Sequence, residues 1–260
     1  MTFTDQLKRE FQLKKVPKRI ISLVPSQTEL LVDLGLESSI VGVTKFCVHP
    51  KHLRLSKKVV GGTKQINLEK VKELLPDIIL CNKEENTKAI IASLDDIAPI
   101  HISDVYNLDD CFELIEMYSN IFQVENKALK IINDIKEQRN LLQNRLKSSL
   151  KPKVAYFIWK NPWMVAGSDT FIDIMIEEAG YENAFKEEMR YPEIELENIK
   201  LKYTDVIFLS SEPFPFKEEH ILELKLHFPD KDIKIVDGEM FSWYGSRLKK
   251  SFSYFETLHN

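Results

Sequence analysis

Two α/β lobes with mainly parallel sheets, joined by one long helix, are what this sequence predicts. Three observations carry the prediction. Short apolar runs alternate with segments of helical apolar spacing, the pattern of strands crossed over by helices. From about Val124 to Leu150 the stretch "VENKALKIINDIKEQRNLLQNRLKSSL" has no Gly or Pro and spaces Ala128, Ile131, Ile132, Ile135, Leu142 and Leu146 as a helix does. After Lys153 the strand and helix alternation begins again. The expected boundaries are residues 1–122 for the N-terminal lobe, 123–150 for the linking helix and 151–260 for the C-terminal lobe.

In the first lobe "RIISLV" reads as a strand, "PSQ" breaks it, and "TELLVDLGL" is a helix that stops at Gly35. The strand "IVGVTKF" follows. "INLEKVKELLPDIILC" is a helix closed by Pro76 and then another strand, and "APIHIS" is one more. At 1.5 Å rise per residue the linking segment would span roughly 40 Å, and its apolar positions keep no strict heptad, so a rigid strut across two lobes is expected in preference to a coiled-coil arm. The second lobe opens with the strand "VAYFIW", a loop with Asn161, Pro162 and Trp163, and a helix "TFIDIMIEEAG" ending at Gly180. Placing Asp205 on Asp77 aligns Leu196 with Leu68, Glu197 with Glu69, Ile199 with Val71, Ile207 with Ile79 and Glu212 with Glu84, which suggests an internal duplication.

The 260 residues carry 36 basic and 40 acidic side chains, a formal charge of −4, so no global positive field draws the chain to nucleic acid or an anionic membrane. No window approaches the roughly 18 consecutive apolar residues of a spanning helix. The opening "MTFTDQLKREFQLKKVPKRI" is charged every few residues and has no apolar stretch of the kind a secretory signal needs, so a cytoplasmic location is expected for the chain as written. Cys47, Cys81 and Cys111 are odd in number and form no CxxC pair, against a disulfide framework or a structural zinc site.

Ligands of parallel α/β sheets bind beyond the carboxyl ends of the strands, and here the loops at those ends are polar or aromatic. Trp159, Trp163 and Trp243 fall in or beside them with Phe46, Phe241 and Tyr244. Any one of these could be a core aromatic; together they suit the walls of a large, flat or polycyclic ligand. Arg190 and Tyr191 in "RYPE" and Arg247 in "WYGSR" are donors for anionic or amide groups. Cys47 and His49 in "FCVHP" would project on one side of an extended segment and could share a metal. Two ligands are too few for zinc or iron, so structural roles are favoured, with His49 capping a turn before Pro50. Ser26 lacks a GxSxG setting and reads as a helix cap or a ligand contact.

Glu84 and Glu85 leave three readings open. They can favour the N-terminal dipole of the helix that follows, or act as a general acid and base, though adjacent side chains usually diverge. Alternatively, Glu84 and its repeat counterpart Glu212 offer one acid per lobe to two basic patches on a partner.

The order strand, "PSQTE", helix, "LGL", then "VGVT", "GGTK", the helix and "PDIIL" unit, the linking helix and the repeated lobe resembles the substrate-binding proteins of ABC importers for cobalamin and ferric siderophores that have a helical backbone between their lobes. The likeness runs from about Arg19 to Leu258, and "FCVHP", "NKEEN", "IWKNPWM", "RYP", "EPFPF" and "DGEMFSWYGSR" are similar to its cobalamin-binding subgroup. The resemblance implies a non-enzymatic protein that holds a corrinoid or metal chelate between its lobes, with no catalytic cofactor and no metal site of its own. Ser26, Phe46, Cys47, His49, Trp163, Arg190, Tyr191, Trp243, Tyr244 and Arg247 are the expected ligand contacts. It also implies an ABC permease as partner, docked by Glu84 or Glu85 and by Glu212, and the chain is expected to be a monomer that neither binds nucleic acid nor enters the membrane. Importers of this type work outside the inner membrane, so either a leader is missing from the sequence or the subgroup is cytoplasmic. Two other readings stand beside it: a cytoplasmic metal-binding enzyme or sensor using Cys47, His49 and nearby acids, and a scaffold whose cleft is closed by its own aromatics.

Overall fold

The structure is a computed structural model that describes residues 1–147 and 150–259. It divides into two compact units, one formed by Met1–Ile135 with Tyr244–Arg247, the other by Lys136–Trp243 and the chain from Leu248 on.

The first unit begins with an antiparallel hairpin, β1 (Thr2–Thr4) and β2 (Glu10–Gln12), which the sequence pattern did not predict. Its main chain then runs β3 (Ile20–Ser22), α1 (Pro25–Asp33), β4 (Ile40–Thr44), α2 (Leu53–Ser56), β5 (Lys58–Gly61), α3 (Leu68–Glu73), β6 (Ile78–Asn82), α4 (Lys88–Leu94), β7 (Ile100–Ser103) and α5 (Leu108–Phe122). The strands pair in the order β5-β4-β3-β6-β7, all parallel. Every residue of β3, β6 and β7 is buried, which is why these strands read as unbroken apolar runs and not as alternation. α5 was also not predicted, although its start is locally encoded: the Asn107 side chain accepts from the Asp110 N–H, and Asp110 reaches back to the N-cap.

α6 (Glu125–Leu146) is the linking helix. At 1.5 Å per residue its 22 residues span about 33 Å. The part of the expectation that falls on Ser148 and Ser149 lies outside the described residues, as does Asn260.

The second unit contains β8 (Lys153–Trp159), β9 (Met164–Val165), α7 (Phe171–Glu178), β10 (Glu182–Asn183), α8 (Ile199–Lys202), β11 (Val206–Ser210), α9 (Glu218–His227), β12 (Asp232–Val236), α10 (Gly238–Ser242) and α11 (Leu248–Thr257). Its sheet has the parallel order β10-β8-β11-β12, with β9 antiparallel to β8. Phe157, Phe185, Ile207, Leu209, Phe216 and Leu224 form an aromatic-rich core on one face.

The duplication acquires a physical basis in two details. Gly35 and Gly180 follow α1 and α7 at φ of +76° and +83°, a region glycine enters without a Cβ penalty. In each case the residue after the glycine donates five residues back, Leu36 to the Leu31 carbonyl and Tyr181 to Ile176, closing the helix with the same motif. Asp77 and Asp205 occupy matching clamps. Asp77 accepts from the Lys18 and Arg19 N–H groups and donates its own N–H to the Arg19 carbonyl, so β6 is fastened to the start of β3. Asp205 exchanges the same bonds with Lys153 and fastens β11 to β8. Burial pushes the Asp77 carboxyl up, but these N–H donors and Lys15 together hold it below the usual carboxylate range.

Candidate functional site

Both sheets reverse their strand order at one place, between β3 and β6 in the first unit and between β8 and β11 in the second. Loops leaving the carboxyl ends at such a switch point splay apart and open a crevice. The segments leaving those ends hold Ser26 and Gln27 in the first turn of α1 and Glu84 and Glu85 in a loop of the first unit, and Lys160 to Trp163 and Ser211 to Lys217 in the second.

In the first unit α1 starts at Pro25, whose fixed φ suits a first helical position, and Val24 is an N-cap that makes no side-chain bond. Ser26 therefore lies inside the first turn and is not the helix cap that was one of its two readings. It is buried, and its hydroxyl bonds to Tyr244. Gln27 beside it is the hub of a buried network: its amide donates to Ser103 Oγ and, over 2.9 Å, to Tyr244 Oη, while its carbonyl oxygen accepts from Tyr118 Oη at 2.7 Å. Burial holds both tyrosine hydroxyls far above their ordinary pKa, so they act as neutral donors.

Asn82, the last residue of β6, winds the next loop. Its side-chain oxygen accepts the N–H groups of Glu84 and Glu85 at 2.8 and 3.0 Å, and Asn86 returns a bond to the Asn82 N–H. α4 is capped further on by Thr87, so the two acids precede the helix, on the side of its N-terminus. Glu84 is exposed and Glu85 half-buried. Burial pushes the Glu85 carboxyl up, against the pull of Lys64 and a hydrogen bond from the Thr63 hydroxyl.

Residues 45 to 49 form a turn, with Cys47 N–H donating to the Thr44 carbonyl and Val48 N–H to Phe46, and not the extended segment expected. Cys47 is fully buried, its Sγ 3.1 Å from Thr28 Oγ1 and 3.3 Å from Thr44 Oγ1, and burial pushes the thiol up. A neutral, enclosed thiol is neither nucleophile nor metal ligand. Among the described residues no group of three His, Cys, Asp or Glu side chains could hold a metal ion. Phe46 is 48% exposed, with Lys45 Nζ 4.9 Å from its ring centroid. His49 beside it is half-buried.

Tyr244–Arg247 belongs to this unit although it lies far along the chain. Tyr244 joins the Gln27 network and Gly245 N–H donates to Cys111 Sγ. Arg247, expected as a ligand donor, is buried, and its guanidinium forks onto Glu29 over 2.8 and 3.1 Å.

In the second unit Trp163 is half-buried, stacked within 4° of Phe216 and edge-on to Phe157, with Lys160 over its face. Trp159 is 39% exposed and meets Phe214 edge-on. Arg190, at φ +64°, donates to the Asp169 carbonyl and lies over the Tyr191 ring. Trp243 is buried, and its Nε1 donates to Glu212 Oε1 at 3.0 Å, beside a 2.7 Å bond from Ser242. Glu212 is thus held against the end of α10. The acids that the repeat also pairs, Glu69 and Glu197, are both exposed.

Sequence reasoning missed Gln27, Ser103 and Tyr118. Its one signal was polar residues set in otherwise buried runs, "PSQTE" and "IHIS".

The profile of the family described as "Periplasmic binding protein" matches residues 20–227. An uncharacterized ABC transporter substrate-binding lipoprotein of Bacillus subtilis, YvrC, is 30% identical over 192 residues, 71% of this chain and 60% of its own length. This chain thus spans less than two thirds of that relative. A vitamin B12-binding protein of Vibrio parahaemolyticus is 25% identical over 195 residues, covering 74% of this chain and 70% of its own. The fold also matches a solved periplasmic haem-binding protein, BhuT, in complex with two haems, at a TM-score of 0.80 and 19% identity over 93% of this chain and 96% of that one. With its parallel sheets, repeated units and matched profile, the chain belongs to the periplasmic binding protein family.

Proposed function

We propose that this protein is the substrate-binding component of an ABC importer and holds a corrinoid or another metal chelate on the strand-end loops of its units. The observation that carries the reading is the placement of partly exposed aromatic side chains, Phe46 in the first unit and Trp159 and Trp163 in the second, at the strand ends of a chain of this family. The B12-binding and haem-binding proteins that it resembles support a large planar or corrin ligand. The curated relatives are named as binding proteins, which supports binding without chemistry. An enzyme or sensor built on Cys47 and His49 is not favoured, because the thiol is enclosed by Thr28 and Thr44. Titration with cyanocobalamin, haemin and a ferric siderophore is expected to quench tryptophan fluorescence with at least one of them. Phe46→Ala and Trp163→Ala should each weaken that binding about tenfold, the worth of one stacked aromatic. No response to any of the three would sink the reading.

An importer component must also meet a permease, and docking is read as one exposed acid from each unit. Glu84 and Glu212 form one candidate pair. Because Glu212 is bonded to Trp243 and Ser242, the more exposed pair Glu69 and Glu197, with Glu69 3.0 Å from Lys72 on its own exposed helix face, is the better fit to basic patches. Glu69→Lys/Glu197→Lys should abolish co-purification with the permease from source membranes while Glu84→Lys/Glu212→Lys weakens it less. The reverse ranking would return the role to the first pair. No helix among the described residues is long and apolar enough to cross a membrane, so membrane attachment is assigned to that partner or to a lipid anchor, as the name of the Bacillus relative suggests.

A further inference from the structure

In the second unit the two tryptophans at the end of β8 rest on rings carried by a different loop. Trp159 meets Phe214 edge-on at 5.6 Å, and Trp163 stacks within 4° of Phe216 at 6.1 Å. Phe214 and Phe216 in turn lie 4.7 Å apart. The tryptophans are partly exposed and Phe216 is buried, so rings that face solvent are backed by a ring that does not.

His220 touches both backing rings. It is buried in the first turn of α9, and its imidazole stands edge-on to Phe214 at 5.3 Å and to Phe216 at 5.4 Å, with interplanar angles of 78° and 87°. Its Nδ1 accepts the Lys217 N–H at 2.9 Å. A backbone N–H only donates, so the proton of the neutral ring sits on Nε2. Lys217 is the N-cap of α9 and its side chain has no acceptor, so the third helical residue supplies one, the task of Glu or Gln in a capping box. Glu or Gln would make that bond equally well, but neither brings an aromatic edge to two neighbouring rings. The imidazole thus holds the start of α9 through Nδ1 and the two phenylalanines through its ring. α9 has a second hold on the same surface: Glu223, three residues on and so on the same side of the helix, pairs with Lys160, whose Nζ lies 5.3 Å from the Trp163 ring centroid. The loop of the tryptophans and the loop of the phenylalanines are therefore both tied to one helix.

We propose that His220 is a positioning residue of the binding surface: its ring, set edge-on against Phe214 and Phe216, fixes the orientation in which Trp159 and Trp163 meet a ligand. The proposal rests on the binding-protein reading above and adds to it a residue that acts only through other rings. Stacked and edge-on contacts depend on ring orientation, so a tryptophan free to tilt loses part of its worth to a ligand even where the fold around it is intact.

Two variants of the full chain separate the ring from the cap. His220→Gln keeps an acceptor for the Lys217 N–H and removes the ring, and His220→Phe does the reverse. Acrylamide quenching of tryptophan emission reads the surface without any ligand, against the steady background of buried Trp243. Quenching should rise in His220→Gln and stay near the native level in His220→Phe. For whichever of haemin, cyanocobalamin and a ferric siderophore the native chain binds, His220→Gln should bind roughly tenfold more weakly, the worth of two edge-on ring contacts, and His220→Phe within about twofold of native. His227→Gln, at the exposed far end of α9, should change neither readout. Circular dichroism confirms the fold of each variant. Quenching and affinity that follow the cap, native in His220→Gln and altered in His220→Phe, overturn the proposal and leave the binding-protein reading intact. Equal changes in both variants, or none in either, overturn it as well. A native chain that binds none of the three probes loses the binding-protein reading, and quenching in the two variants still decides whether His220 holds the tryptophans.

Discussion

Replacing Arg247 with methionine is expected to cost about 3–5 kcal/mol of stability in the first unit, the range for removing one member of a buried ion pair. The Arg247 and Glu29 side chains are 4% and 7% exposed, and the two guanidinium bonds meet both carboxylate oxygens. Without the guanidinium, the Glu29 carboxylate loses both of these bonds in a buried site, on a helix start whose residues Ser26 to Leu31 are all buried. Glu29→Leu alone should cost a similar amount by removing the carboxylate from both guanidinium bonds. The double variant Glu29→Leu/Arg247→Met should recover most of the loss, since two apolar side chains of similar volume bear no desolvation penalty. Urea denaturation of the three variants checks this as a double-mutant cycle. Losses that simply add in the double variant would show that the pair is not coupled. The same substitutions should loosen Tyr244, three residues away, from the Gln27 network.

Acid is expected to destabilise the first unit through His101 before the carboxylates titrate. This histidine is fully buried on β7, edge-on to Phe11 and Tyr118, and neither ring nitrogen has a hydrogen-bond partner among the described residues. Burial lowers its pKa to about 4, with nearby Asp5 and Glu113 pulling it up and Arg9 pushing it down. The unfolded chain protonates its histidine near 6.5, so between pH 6.5 and 4 the unfolded state binds a proton that the folded state refuses. Stability contributed by the neutral ring is complete above pH 6.5 and is lost as pH falls through that window, to a total of roughly 3 kcal/mol. His101→Phe keeps the ring and removes the proton site. Urea midpoints of the native chain should therefore drop steeply from pH 6.5 to 5 while those of the variant stay nearly level. Parallel profiles would show that His101 does not govern the acid response.

Much of the scaffold was legible because its signals are local. The glycine stops at Gly35 and Gly180 and the closing proline after "KELL" are residue-level constraints on φ and on hydrogen bonding. The aspartates at 77 and 205 were visible as aligned letters, and the structure shows that each clamps the start of its neighbouring strand. The hairpin of β1 and β2 was missed because its strands are three residues each and half exposed, too short for period-two patterning to register. The turn at Cys47 was missed for a different reason. An alternation such as Cys-Val-His fits an extended strand equally well, and only the buried Thr28 and Thr44 hydroxyls decide otherwise.

Side-chain roles divide along the same line. That Phe46, Trp159 and Trp163 lie at strand ends follows from the order of apolar runs and loops. Which of them is exposed, and that Trp243 instead bonds inward to Glu212, depends on packing by residues distant in sequence. By itself the sequence determined two repeated α/β units, a helix joining them, and aromatic and charged loops at the strand ends, because propensity, periodicity and helix termini are properties of neighbouring residues. Only the tertiary structure decided that Tyr244–Arg247 completes the first unit and that Arg247 forks onto Glu29. Those are questions of which charges meet across the fold, and burial and electrostatic pairing between residues as far apart as 29 and 247 leave no mark in a local pattern.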